Sequence, residues 1–151
     1  MLTRLDHIGI VAHSLDEASQ VLIDRMGFAL DEARSPLPDG AYFAKERTQI
    51  FFVKIGIGET RIEILLPEDA EGGIGRWLQK RGPSMHHMCY LSDDLLADVT
   101  RLRNEGLEKI DLGGDIETVG GCFFHPRSMN GILTEIIREG SQGRPDPRRR
   151  T

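Results

Sequence analysis

A chain of 151 residues is long enough for one domain with a sizeable core, or for two very small modules that share one. A hydrophobic content of 39% and a charged content of 28% are those of an ordinary soluble globular protein, and a net charge near -5 argues against nucleic acid as the main partner. No apolar run is long enough to span a membrane and no basic start leads into an apolar signal segment. Cys89 and Cys122 sit in apolar, strand-like segments, which suits buried reduced thiols in a cytoplasmic protein.

In chain order, residues 4–12 read as a strand. Ser14 and Glu17 form a capping-box pattern for a helix that runs to Met26, with Ala18, Val21, Leu22 and Arg25 on its inner side and Gly27 at its end. A short strand over 28–33, a Pro- and Gly-containing loop over 35–40, and strands over 48–55 and 61–66 follow. The acidic stretch 67–73 reads as a linker, and the helix 74–80 carries Trp77 and Leu78 to cover a seam.

The order then repeats. Residues 85–91 form a strand. Ser92 or Asp93 caps a helix to Glu105, with Leu95, Val99 and Leu102 inward, and Gly106 stops it. A strand over 107–111, a loop over 113–119 and strands over 121–125 and 132–138 complete the second copy. The Gly-, Pro- and Arg-rich tail, 140–151, is expected to be disordered, with Arg148, Arg149 and Arg150 as solvated charges. The fold class expected is α+β: one domain over 1–139, with module one at 4–67, linker and short helix at 68–82, and module two at 83–138.

Two landmarks keep step between the copies. His7 lies on the first strand of one and His87 on the first strand of the other. Glu63 and Glu135 each lie on the last strand of a copy, flanked by apolar residues, where an unpaired carboxylate is expensive to bury. A cation beside them removes that cost. If the copies pair with pseudo-twofold symmetry, His7, Glu63, His87 and Glu135 converge, and mixed imidazole and carboxylate ligation suits a divalent ion such as Co, Ni, Mn, Zn or Fe. Strict alternation places His86 on the opposite face from His87, in a structural role. His13 falls at an exposed turn. His125 stands at a strand end that could rim a pocket, with Arg127 and Ser128 in the turn after it.

The opening Leu5-Asp6-His7-Ile8-Gly9-Ile10, followed by Leu15-Asp16-Glu17-Ala18, resembles that of the vicinal oxygen chelate superfamily, the metalloenzymes built from paired βαβββ modules. Later blocks resemble the methylmalonyl-CoA epimerases of that superfamily. They are Ile62 to Pro67, Ile74 to Gly82, His86-His87-Met88, Gly120-Gly121, His125 to Ser128 and Gly131 to Glu135. The resemblance covers roughly residues 4–138. It implies a curled eight-stranded mixed sheet around a metal pocket, with His7, Glu63, His87 and Glu135 as the ligands. It also implies an acyl-CoA substrate; no nucleic-acid or membrane partner is expected, and a homodimer is expected because short edge strands are left open by the two half-sheets and relatives of this fold commonly pair. The epimerases carry a Gln-Gly-Val or similar stretch entering the third strand, and this chain reads Glu46-Arg47-Thr48-Gln49-Ile50-Phe51-Phe52 there.

The chemistry implied is proton removal at carbon 2 of a malonyl thioester, with a stabilised enolate and return of the proton on the other face. Glu135 is the expected catalytic acid/base. Glu46, Gln49 or a water could serve the opposite face. The alternatives are a glyoxalase I-like lyase, which also uses His and Glu ligands, and a non-catalytic drug-binding or resistance protein of the same fold.

Overall fold

The computed structural model describes residues 1–142. Strands β1 (Leu2–Val11), β2 (Ala29–Leu30), β3 (Ala41–Phe43), β4 (Thr48–Lys54) and β5 (Arg61–Pro67) come from the first half of the chain. Strands β6 (Ser84–Ser92), β7 (Lys109–Ile110), β8 (Gly121–Phe124) and β9 (Thr134–Arg138) come from the second. All belong to one curled nine-stranded sheet of order β2-β4-β5-β1-β6-β9-β8-β7, with β3 pairing the opposite end of β4 along the same edge as β2. The ninth strand beyond the eight expected is β3, three residues that pair antiparallel with Thr48–Ile50 of β4.

The centre of the sheet has a symmetric plan. β1 and β6 run antiparallel, and each has a parallel neighbour from its own half, β5 for β1 and β9 for β6. Because successive side chains alternate between faces, each central strand serves two layers. Ile10, Ile62 and Ile64 join Phe51, Val53 and Leu66 in a core under the first helix. Cys122, Phe124 and Ile136 join Leu95 and Val99 in a core under the third. Residues of the other face turn into the hollow of the sheet, where Val11, Phe43, Ile50, Phe52 and Leu65 pack with Ile74.

The first helix, α1 (Leu15–Ser19), starts where Ser14 accepts from the Glu17 N–H, then widens into a π-helical stretch over Gln20–Arg25. The wider turn changes which residues face inward. Ala18 and Leu22 are buried, whereas Val21 and Arg25 are exposed, contrary to a uniform 3.6-residue period. α2 (Gly73–Arg81) lies against β5 and β6. α3 (Leu95–Asn104) is capped by Asp94, which accepts from the Ala97 N–H. Ser92, one of the two caps expected, instead donates its hydroxyl to the buried Asp98. The stretch read as a loop over 113–119 contains a short helix, α4 (Ile116–Val119), capped by Asp115. Strands 28–33 and 107–111 shorten to two residues each, because only Ala29–Leu30 and Lys109–Ile110 find partners. The expected disordered tail lies outside the described residues from 143 onward; Ser141 N–H closes a turn on Arg138. Among the described residues no helix is long and apolar enough to cross a membrane.

Candidate metal centre and active site

Strand register assembles the site. Gly9 of β1 lies beside Glu63 of β5 on one side and His87 of β6 on the other. One row along, Cys89 of β6 lies beside His7 of β1 and Glu135 of β9. Residues directly across a ladder share a face. Two adjacent rows, Glu63–Gly9–His87 and His7–Cys89–Glu135, therefore present two imidazoles and two carboxylates to the hollow, with a small residue in the middle of each. Gly9 is required at its place: a Cβ there would sit 2.2 Å from Cε1 of His87, because the imidazole lies across the bare backbone.

All four polar side chains are buried, with relative exposures of 3% for His7, 3% for Glu63, 4% for His87 and 8% for Glu135. His7 Nε2 lies 3.2 Å from His87 Nε2, 3.4 Å from a Glu63 oxygen and 3.3 Å from a Glu135 oxygen. His87 Nε2 lies 3.2 and 3.5 Å from those two oxygens. Adjacent donors bound about 2.1 Å from a common six-coordinate ion are separated by roughly 3 Å, so the set fits a first-row divalent cation. Donor atoms of His7, His87 and Glu135 all lie within 4.8 Å of one another, and Glu63 adds an oxygen beside both imidazoles.

Each histidine is also held from behind. β1 and β6 slip register between Leu5 and His7, where Asp6 is the extra residue, and between Gly9 and Ile10, where His86 is the extra residue. A bulge re-aims the side chain it carries. The Asp6 carboxylate meets His7 Nδ1 at 2.8 Å, and His86 Nδ1 meets His87 Nδ1 at 3.0 Å. The alternation rule had put His86 on the far face; the bulge instead brings its ring edge-on to that of His87, with centroids 5.3 Å apart, and against Trp77. With each Nδ1 engaged, both Nε2 atoms face the carboxylates.

Electrostatics follow from this packing. Burial pushes the Glu63 carboxyl up, but His7 and His87 outweigh it and hold Glu63 well below the usual carboxylate range. Burial is likewise overcome at Glu135 by the hydrogen bonds of His7 and His87, so it too stays ionised. Burial pushes His7 down, while Cys89, Glu63 and the hydrogen bond to Asp6 carry it well above its ordinary value. His87 is raised in the same way by the two glutamates against burial. His86 is different: burial and the neighbouring His87 drive it down to about 4, so it is neutral. The imidazoles and carboxylates thus favour each other's charged forms, and a proton held among them is what an incoming cation would replace.

The other residues singled out from the sequence fall elsewhere. Gln49 lies across from Leu66, which packs on the helix side, and its amide donates to the Asp39 carbonyl, so it does not face the hollow. Glu46 accepts from the Ile74 N–H at the start of α2. His13 is exposed. His125 accepts from the Arg127 N–H, and Arg127 pairs with Glu108 at the surface. Cys89 and Cys122 are both buried. Asp6, Arg34 and Gly9 were not singled out from the sequence, although two adjacent polar residues inside an apolar strand, Asp6-His7 and again His86-His87, are the mark a bulge leaves.

Comparison with known proteins places the fold. The chain is 31% identical over 137 residues to a mitochondrial methylmalonyl-CoA epimerase of Dictyostelium discoideum, covering 88% of this chain and 76% of the relative. It is 29% identical over 140 residues to an ethylmalonyl-CoA/methylmalonyl-CoA epimerase of Cereibacter sphaeroides, covering 90% and 98%. The crystal structure of methylmalonyl-CoA epimerase from Mycobacterium tuberculosis superposes with a TM-score of 0.74 at 26% identity, over 91% of this chain and 88% of that one. The model of the Glyoxalase/Bleomycin resistance protein/Dioxygenase superfamily matches residues 6–124. With its paired parallel strands and its cluster of histidines and glutamates, the chain belongs to that superfamily.

Proposed function

We propose that this protein is an isomerase that epimerises methylmalonyl-CoA at carbon 2 with the help of a divalent metal held by His7, Glu63, His87 and Glu135. The observation that carries the reading is that the two buried imidazoles lie 3.2 Å apart and each has oxygens of Glu63 and Glu135 at 3.2–3.5 Å, in a chain whose relatives include methylmalonyl-CoA epimerases. One further relative of known structure binds methylmalonyl-CoA itself.

When bound by His7, Glu63, His87 and Glu135, a divalent ion would supply positive charge to offset the charge that develops on the thioester oxygen. The chain's own residues do the rest. Glu135 is buried and unprotonated, as a group that takes the proton from carbon 2 must be, and it would gain basicity as the histidines that hold it low turn to the metal. Glu63, also held ionised by His7 and His87, is assigned to coordination alone. Phe52 and Phe123, edge-on to His7 and His87, wall the centre with apolar rings that keep water away from the carbanionic carbon. Of the groups considered for returning the proton on the opposite face, Gln49 turns to the helix side, which leaves a water or Glu46, the latter only after its carboxylate releases the Ile74 N–H. Residues 4–67 and 83–138 act as two modules of one domain. The sheet is open, with β2 and β7 at its two ends, and we assign the chain a homodimeric state in which open sheet edges are covered.

The test is turnover with two substrates. The cobalt-loaded protein should interconvert the carbon-2 epimers of methylmalonyl-CoA and leave a glutathione hemithioacetal unchanged. The reverse selectivity would make it a glyoxalase, and turnover of neither would make it a binder.

A further inference from the structure

Asp6 joins two elements that the ligand set does not explain. A single oxygen of its carboxylate, Oδ2, lies 2.8 Å from His7 Nδ1 and accepts a hydrogen bond of 2.8 Å from an Arg34 guanidinium nitrogen. Arg34 comes from the loop between β2 and β3, and its guanidinium also rests over the Phe52 ring at 4.1 Å from the centroid. Phe52 in turn stands edge-on to His7 at 5.5 Å. Asp6 is 1% exposed, so the chain buries a carboxylate where an apolar residue would cost less, and holds it with an arginine that is itself mostly buried. The other carboxylate oxygen and Arg34 Nε have no partner, so the pair is not arranged as the bidentate fork that would maximise its own stability. The geometry is spent on His7.

We infer that Asp6, clamped by Arg34, is a positioning residue that aims Nε2 of His7 into the metal centre and strengthens it as a donor. An acceptor on the far ring nitrogen fixes the tautomer and rotation of a ligating imidazole and raises its basicity, and loss of such a partner costs about 10–100-fold in metal affinity. The inference rests on the metal reading of the site.

The experiment measures cobalt affinity by competition with a chromophoric chelator, and the visible absorption of the bound cobalt, for the parent, Asp6→Asn, Asp6→Ala and Arg34→Met. Asp6→Asn keeps an oxygen in place but removes the charge, and Arg34→Met keeps the stem on Phe52. Asp6→Ala should bind cobalt about 10–100-fold more weakly, with Asp6→Asn and Arg34→Met between it and the parent, and the absorption bands should move. Should Asp6→Ala fail to fold, the other two variants decide. Affinity within twofold of the parent and unmoved bands in Asp6→Asn and Arg34→Met, with only the melting temperature lowered, would show a merely structural ion pair and overturn the inference. If the parent itself takes up no cobalt, the metal reading fails and this inference falls with it.

Discussion

The two halves of the sheet solve one problem in two ways. Each brings a histidine on its first strand and a glutamate on its last to the same point, and each uses a bulge to set the residue before the histidine behind the ring. They differ in what stands there. The first half offers a carboxylate braced by Arg34, within a loop that also ties Asp31 to Arg61 at 2.7 Å. The second offers a neutral imidazole packed edge-on to Trp77, whose indole N–H donates to Ser84 and whose face carries Arg81. The middle residues also differ: Gly9 has no side chain under His87, while Cys89 places a buried thiol between His7 and Glu135. Strand register, which the repeat dictates, sets where the donors meet. The local neighbours, which the repeat does not dictate, set how strongly each one is held.

The largest effect should come from breaking the symmetry between the two glutamates. Glu135→Gln keeps an oxygen that can coordinate but cannot take up a proton. Exchange at carbon 2 should fall about 10²–10⁴-fold while metal content stays near that of the parent. Glu63→Gln should be milder by at least tenfold in the same assay. Equal losses in both would erase the distinction between base and ligand.

The close approach at Gly9 makes the next prediction. Gly9→Ala must displace the His87 ring, since the new methyl would lie inside it. A ligand moved by about an ångström can cost roughly 10²-fold in rate, so turnover should drop on that scale with cobalt binding weakened. Cys89→Ala, in the matching position of the other row, removes atoms instead of adding them and should keep its metal. A Gly9→Ala protein with parental kcat would show that His87 has room the structure does not display.

His86→Phe tests the weaker of the two backings. Phenylalanine preserves the packing on Trp77 and removes the nitrogen that meets His87 Nδ1. A loss of cobalt affinity of a few fold, smaller than that of Asp6→Ala, is expected. A larger loss than Asp6→Ala would reverse the ranking of the two halves.

The smallest effect concerns stability alone and belongs to the first half. Burial pushes Asp31 up, but the hydrogen bond and charge of Arg61 leave its carboxyl below the ordinary Asp range. A depressed folded-state value stabilises the protein above the unfolded-state pKa of about 3.9 and is lost as pH falls through the lowered value. Asp31→Asn should therefore melt several degrees below the parent at neutral pH, with the gap closing under strongly acid conditions. A gap that does not narrow in acid would deny the pair its ionic character.

That His7, Glu63, His87 and Glu135 lie close together was legible in the sequence because of a repeat. His7 and His87 open their copies, Glu63 and Glu135 close theirs, and parallel pairing within each half brings the ends together. What was not legible depends on partners rather than on composition. β3 exists because Ala41–Phe43 pairs with β4, and three residues carry too little periodicity to announce it. The π-helical turn that exposes Val21 leaves no mark on an amphipathic pattern. The bulges at Asp6 and His86 each insert a residue that reverses the alternation, so strict period-two reasoning sent His86 to the wrong face. Arg34, in a loop between two short strands, reaches Asp6 only through the folded path of 28 residues.

The most direct test of metal-dependent epimerisation is the exchange of the carbon-2 proton of methylmalonyl-CoA in deuterated water, followed by mass spectrometry. The protein is first stripped with a chelator and then reloaded with cobalt. The expected result is negligible exchange in the stripped protein and restoration on reloading, with deuterium entering both epimers. Exchange that proceeds at the same rate in the stripped protein, or none after cobalt is bound, would contradict it.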